Sequence, residues 1–118
     1  MGKSIEALWT ARFGDINQPN AWLNGGVVVF ESGNMYGGDG GTYYIGSFKV
    51  SEDQFEAAFK TVIYDPRYES VFGNIGSEVE IKAKGKRASD DLIVGEMYAI
   101  KFPDLKVSFD LTYRATLP

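Results

Sequence analysis

The sequence lacks both cysteine and histidine among its 118 residues. The absence of cysteine excludes a disulfide framework and thiolate chemistry. The absence of histidine removes the usual general base near neutral pH and the commonest ligand of transition metals. We find no catalytic constellation, no metal-ligand spacing and no cofactor motif among the remaining residue types. The sequence therefore predicts a protein that is not an enzyme.

Long apolar runs and basic clusters are also scarce. No stretch approaches the roughly 20 apolar residues of a membrane-spanning helix, and the N-terminus does not resemble a secretory signal. The net charge is −4, whereas a protein that binds nucleic acid needs a basic face to neutralise phosphates. We expect a cytoplasmic protein that contacts neither a membrane nor nucleic acid directly.

The sequence does contain a regular alternation of apolar and polar residues. Over residues 105–117 the odd-numbered positions are all apolar and the even-numbered positions are all polar. Side chains of a strand point to opposite faces in turn, so this segment predicts one long strand with a buried face and a solvent-exposed face. Phe109 then points inward and Asp110 outward, and we expect Asp110→Ala to cost within about 0.5 kcal/mol.

Turn signals recur about every 10 residues, which is typical of a β-sandwich or β-barrel. We predict one domain over residues 1–118, an all-β, eight-stranded antiparallel up-and-down barrel of lipocalin-like type. Closure of such a meander removes exposed strand edges. The predicted strands cover residues 7–13, 27–31, 35–36, 42–50, 55–63, 78–84, 92–102 and 105–117, with a loop over 15–24 and a turn at Pro103-Asp104.

Three features leave alternatives open. Residues 51–60 fit a helix or a strand, and the neighbouring strands favour the strand. Residues 66–71 are compatible with one short helical turn. An eight-stranded barrel is either filled by side chains or holds one small ligand, and the aromatic content of 14% favours a filled interior.

Three local motifs carry polar or glycine-rich character. A turn of Gly37, Gly38, Asp39, Gly40 and Gly41 precedes a strand, not the helix that a phosphate-binding loop needs, so it predicts a hairpin whose glycines supply positive φ. The basic cluster of Lys82, Lys84, Lys86 and Arg87 is typical of a soluble outer strand face. The acidic pairs Glu52-Asp53 and Asp90-Asp91 are typical of solvated turns.

Three segments together resemble the GrlR-like family of negative regulators of type III secretion. They are a glycine-opened strand (24–30), a Gly-Asn turn leading to Gly-Gly-Asp (33–39), and a strand with tyrosine and glycine (43–48). The resemblance implies a lipocalin-like barrel that dimerises and that holds a transcriptional activator away from DNA by protein contact. An acidic run after the fourth strand makes that contact in the family, and the matching positions here are Glu52, Asp53, Gln54 and Phe55, of which only the first two are acidic.

We therefore expect a non-enzymatic regulatory protein that binds a transcriptional regulator. The alternative is a carrier of a small apolar ligand, since barrels of this size can hold one. Leu8 and Ile93 fall out of phase with the predicted core, and this makes them candidates for a homodimer interface.

Overall fold

The computed structural model describes residues 4–15, 22–68 and 76–118, which form eight β-strands and no helix. Each strand pairs antiparallel with the next, and the last pairs with the first, so the sheet closes into a barrel. This confirms the predicted all-β, up-and-down barrel. The strands are β1 (Ala7–Asp15), β2 (Trp22–Glu31), β3 (Asn34–Gly38), β4 (Thr42–Ser51), β5 (Gln54–Ile63), β6 (Glu78–Ser89), β7 (Leu92–Ala99) and β8 (Phe102–Thr116).

The inward faces of the strands make one apolar core. On β5 the side chains of Phe55, Ala57 and Phe59 are buried while the alternate positions are more exposed, so residues 54–63 form the predicted strand and not a helix. Aromatic rings fill the middle of the barrel and meet edge to face, the arrangement that their quadrupoles favour. The rings of Phe30 and Phe55 have centroids 5.5 Å apart.

The barrel interior is filled in the part of the chain that the structure describes. The apolar void among the core side chains has a volume of about 20 Å³, which is close to the space that one water molecule needs. The expectation of a filled interior is therefore confirmed for these residues.

The long strand β8 follows the predicted alternation only in its middle. Phe109 is buried with Val107 and Leu111, but Leu105 and Ala115 are exposed. Register shifts at both ends of β8 explain the difference. At each shift a bulge adds residues to one strand only, and the side chains beyond the bulge then point to the opposite face. The turn between β7 and β8 lies at residues 100–101, so the prediction of a turn at Pro103-Asp104 is wrong.

Asp110 lies on the outer face of β8 as predicted, yet it is only 6% exposed. Its cross-strand neighbour Arg12 donates from Nε to Oδ1 at 3.0 Å and from Nη2 to Oδ2 at 2.5 Å. This hydrogen bonding raises the pKa of the Arg12 guanidinium above its usual value. Asp110 therefore has the predicted face but little solvent exposure, because a two-point ion pair covers it, and we expect its removal to cost more than the roughly 0.5 kcal/mol of a solvated surface residue.

Three further expectations concern strand phase, a loop and a helical turn. Ile93 is 0% exposed, since the inward positions of β7 are 93, 95, 97 and 99, so its assignment as an out-of-phase surface residue is wrong. The predicted loop over 15–24 is shorter, because β1 ends at Asp15 and β2 begins at Trp22; residues 16–21 lie outside the described ones. The predicted helical turn over 66–71 falls partly outside them, and its described part is a turn in which Tyr68 N donates to Asp65 O at 3.0 Å.

Candidate functional site

The candidate site lies at one end of the barrel, where the topology gathers three hairpin turns. In an up-and-down barrel the connections β2–β3, β4–β5 and β6–β7 share an end, because successive strands run in opposite directions. The first residues of β1 reach the same end. We call the exposed acidic residues there the acidic rim: Glu6, Glu31, Glu52, Asp53, Asp90 and Asp91.

Arg87 joins the two acidic hairpins of the rim. Its backbone N donates to Asp53 O at 2.7 Å, and its Nη2 donates to Asp90 O at 3.0 Å. Its guanidinium lies 5.9 Å from the ring centroid of Trp9, within the range of a cation–π contact. Arg87 is half-buried while Lys86 on the same strand is exposed. Arg87 therefore does not share the outer face of Lys82, Lys84 and Lys86, and it positions both hairpins instead.

The predicted partner-contact residues divide into an exposed and a buried part. Glu52, Asp53 and Gln54 are exposed, and the carboxylates of Glu52 and Asp53 make no hydrogen bond or ion pair with another described residue. The ring of Phe55 is 3% exposed and packs in the core, 6.2 Å from the ring centroid of Phe109. A partner at this turn thus meets the first three side chains and not the Phe55 ring.

The backbone of the turn is unusual at Glu52. Ser51 pairs with Gln54, so Glu52 and Asp53 make a two-residue hairpin loop. Glu52 has a φ of 57°, a left-handed conformation that a residue with a Cβ adopts at a cost. Hairpin loops of two residues need such a φ to match the strand twist. The tight hairpin holds both carboxylates at the tip of a rigid scaffold.

The glycine-rich turn lies at the opposite end of the barrel and has a structural role. Asp39 Oδ1 accepts hydrogen bonds from the backbone N of Gly41 and Thr42 at 3.0 and 2.9 Å, and Asp39 Oδ2 accepts one from Tyr44 Oη at 2.7 Å. Burial, together with this hydrogen bond, raises the pKa of Tyr44 above its ordinary value of 10.0. The Asp39 carboxylate thus accepts hydrogen bonds from donors in and beside the turn itself.

The glycines of this turn do not have the positive φ that the sequence analysis expects of them. In the described part of the chain, only Gly33 and Gly76 among the glycines have positive φ. Gly37 is required for close approach instead, because a Cβ there would collide with the carbonyl oxygen of Val27. At Gly41 a Cβ would collide with the ring of Tyr68. The expected hairpin is present, but its glycines serve packing.

Comparison with known proteins adds no family: no protein-family model matches the chain, and no curated protein matches it. The resemblance to the GrlR-like family therefore stays a prediction. The described residues contain no helix with the length and apolar character that a membrane crossing requires. The class that the structure defines is an eight-stranded up-and-down β-barrel with a filled interior and an acidic rim.

Proposed function

We propose that this protein is a non-enzymatic cytoplasmic regulator that binds a transcriptional activator through the acidic rim and keeps it from DNA. The system regulated would be type III secretion or a related one, as the family resemblance implies. The observation that carries the proposal is the juxtaposition of two acidic hairpins on a rigid barrel, with the Glu52 and Asp53 carboxylates unpaired among the described residues.

The chemistry of the rim suits a basic partner surface. A DNA-binding surface presents lysine and arginine side chains that neutralise phosphates. Carboxylates on a protein can compete for those same cations, and the bulk of the barrel then blocks the DNA. Exposed charges of this kind act mainly on association rate and specificity, and salt screens them. The proposed mechanism is therefore steric occlusion guided by charge.

The experiment begins with a pull-down from the native host to identify the activator. Its affinity is then measured for Glu52→Gln with Asp53→Asn, which removes two rim charges and keeps the side-chain shapes. The control is Glu80→Gln with Glu96→Gln, two exposed acidic residues on β6 and β7 away from the rim. Both variants change the net charge equally.

We expect the rim variant to weaken binding by about tenfold or more at low salt and less at high salt. The control should stay within about twofold of the native protein. Melting temperatures of all three proteins should agree, because none of these carboxylates is in the core. Equal losses in the two variants would show a net-charge effect, and an unchanged affinity at low salt would remove the rim from the contact.

The alternative of a small apolar-ligand carrier has less support. Ligand pockets usually have volumes of about 300–1,000 Å³, whereas the void among the described core residues is about 20 Å³. A larger concavity of about 450 Å³ lies on the outer surface, with lysine and glutamate side chains in its wall. A carrier would have to repack its core to admit a ligand, and native mass spectrometry of the purified protein would show the retained ligand as added mass.

A further inference from the structure

The concavity of about 450 Å³ on the outer surface of the barrel lies over β4, β5, β6 and β7. Its floor is lined by small side chains, because Ser47 on β4 pairs with Ala58 on β5 and both are exposed. The same row continues across the sheet through Lys82 on β6 to Tyr98 on β7, and both of these residues also line the concavity. The fold thus places a depression beside a lysine and an aromatic ring.

The concavity is positively charged, although the protein as a whole has a net charge of −4. Its charged lining residues are Lys49, Lys82, Lys84 and Glu56, which together give a net charge of +2. Glu56 lies close to Lys49, with 3.5 Å between Glu56 Oε2 and Lys49 Nζ. The remaining positive charge of the lining therefore comes from Lys82 and Lys84.

Lys82 and Lys84 are the cations that a ligand in the concavity would meet. Both are exposed, and neither makes a hydrogen bond or an ion pair with another described residue. Lys84 has a glutamate opposite it on each side, Glu56 on β5 and Glu96 on β7. Lys82 has an alanine and a tyrosine in those positions, so no carboxylate lies directly across from it. Lys82 is therefore the main anion-binding group of the concavity, and Lys84 is the second.

The spacing of the two lysines suits one small dianion. Residues two apart on a strand share a face, and their Cα atoms are roughly 7 Å apart. The flexible four-carbon side chain of lysine allows both ammonium groups to approach the same anion. A phosphate monoester carries a charge of about −1.5 to −2 at pH 7, which matches the net charge of the lining, whereas a single carboxylate would leave half of it uncompensated.

The rest of the concavity suits an aromatic ring. Its volume of about 450 Å³ lies within the range of about 300–1,000 Å³ that is usual for small-molecule sites, and a bare phosphate would leave most of it empty. Ala58 offers an apolar floor, and the half-buried ring of Tyr98 lies one strand beyond Lys82. Aromatic rings pack favourably in offset-stacked or edge-to-face pairs. A ring attached to the phosphate can therefore contact both residues.

We propose that this concavity binds a small aromatic phosphate monoester, with the phosphate between Lys82 and Lys84 and the ring over Ala58 against Tyr98. Nucleoside monophosphates and phosphotyrosine share this chemistry. The proposal does not depend on the acidic rim, which lies at the end of the barrel.

The test is a titration of isotope-labelled native protein with phenyl phosphate, a minimal probe that has both the ring and the phosphate. Amide chemical shifts recorded by NMR at about pH 7.5, where the monoester is mainly a dianion, locate the site and give the dissociation constant. Lys82→Gln removes the main cation. The matched control is Lys86→Gln, because Lys86 is exposed on the same face of β6 but does not line the concavity. The two variants change the net charge equally.

A third variant tests the shape of the concavity without changing its charge. Ala58→Leu places a larger side chain on the floor at an exposed position, so it should block the ring while both lysines remain. The amide spectrum of each variant establishes that it is folded. If Ala58→Leu does not fold, Ala58→Val makes the same test with a smaller side chain.

We expect a dissociation constant of about 1 mM or tighter for the native protein, with the shifted amides in β4, β5, β6 and β7 around the concavity. Lys82→Gln and Ala58→Leu should each raise the dissociation constant at least about fivefold, whereas Lys86→Gln should change it by less than about twofold. Adenosine monophosphate and phosphotyrosine, titrated in the same way, distinguish the two sources of the ligand, since the natural one should bind more tightly than phenyl phosphate.

Four results would overturn the proposal. The first is no binding of phenyl phosphate up to about 10 mM. The second is an equal effect of the two lysine variants, which would show attraction to net charge alone. The third is unchanged affinity in a folded Ala58 variant. The fourth is inorganic phosphate that binds as tightly as phenyl phosphate, because the ring would then make no contact.

Discussion

Phe109→Ala is the perturbation that most directly tests the interior of the barrel. The Phe109 side chain is 4% exposed, and it borders the void of about 20 Å³. Truncation therefore enlarges an existing void in place of opening a separate one. At about 24 cal/mol per Å³, every 50 Å³ that stays empty costs about 1.2 kcal/mol, and the lost transfer free energy of the ring adds to this. We expect the free energy of unfolding to fall by about 3–5 kcal/mol.

That loss is large against the 5–15 kcal/mol that is typical of a whole domain. For a chain of this size it corresponds to a fall in melting temperature of roughly 10–20 °C. The assay is urea unfolding followed by circular dichroism, with Lys106→Ala as the control. Lys106 is exposed three residues earlier on β8, and its truncation should change stability by about 0.5 kcal/mol or less.

Equal destabilisation by Phe109→Ala and Lys106→Ala would refute the assignment of the two faces of β8. A second measurement tests the cavity itself. Engineered apolar cavities stay dry and bind small apolar molecules, so saturating benzene should raise the melting temperature of Phe109→Ala and leave that of the native protein unchanged. A native protein that responds equally would show that its interior is not filled.

Three further predictions concern polar and turn residues. The folded-state pKa of Tyr44 is raised above its ordinary 10.0, so at high pH the native state retains a proton that the unfolded state loses. The free energy of unfolding should therefore fall as pH rises above 10.0. Urea melts at alkaline pH should show that this decline is weaker in Tyr44→Phe and unchanged in the control Tyr43→Phe. Asp110→Asn should lower the unfolding midpoint, because the amide cannot replace the ion pair with Arg12, and the loss should shrink in high salt. Glu52→Gly should stabilise the fold by about 0.5–1 kcal/mol in the same melts, since the residue has a φ of 57°, and a lower midpoint would contradict the left-handed conformation.

The inner face of the barrel was predictable because burial alone determines it. A side-chain period of two, interrupted by turns, is sufficient to place Phe55, Ala57 and Phe59 together on the inside of β5. The same rule placed Phe109 correctly on β8. Closure of the sheet followed from the number of strands and from the cost of an exposed edge.

Bulges and outer-face contacts were not predictable from that period. The alternation of apolar and polar residues over 105–117 continues without a break through two register shifts. At each shift the side chains that follow point to the other face of the sheet, so the alternation no longer predicts which of them are buried. The role of Asp110 depends on its neighbour Arg12, which is 98 residues away in the chain. That pairing exists only because β8 returns beside β1, and single-strand periodicity contains no information about it.

The candidate site was predictable in part for the same reason. Hairpin chemistry located Glu52 and Asp53 at an exposed turn, but nothing local indicated that Asp90 and Asp91 lie beside them. The sequence analysis placed Arg87 in a basic cluster on the outer face, and this is wrong. Arg87 follows Lys86 directly on the strand, so it points to the opposite face from the exposed Lys86. Arginine side chains seldom point inward. The hydrogen bonds of Arg87 to the carbonyl oxygens of Asp53 and Asp90 depend on how β6 pairs with its neighbours, which the sequence alone does not specify.

The small void in the described core bears on the proposed function of this barrel. Because that void has a volume of about 20 Å³, the proposed recognition takes place at an end of the barrel and not in its interior. The acidic rim lies at one end of the barrel, and its proposed contact with a partner depends on charge. High salt should therefore weaken partner binding, because salt screens the attraction between exposed charges.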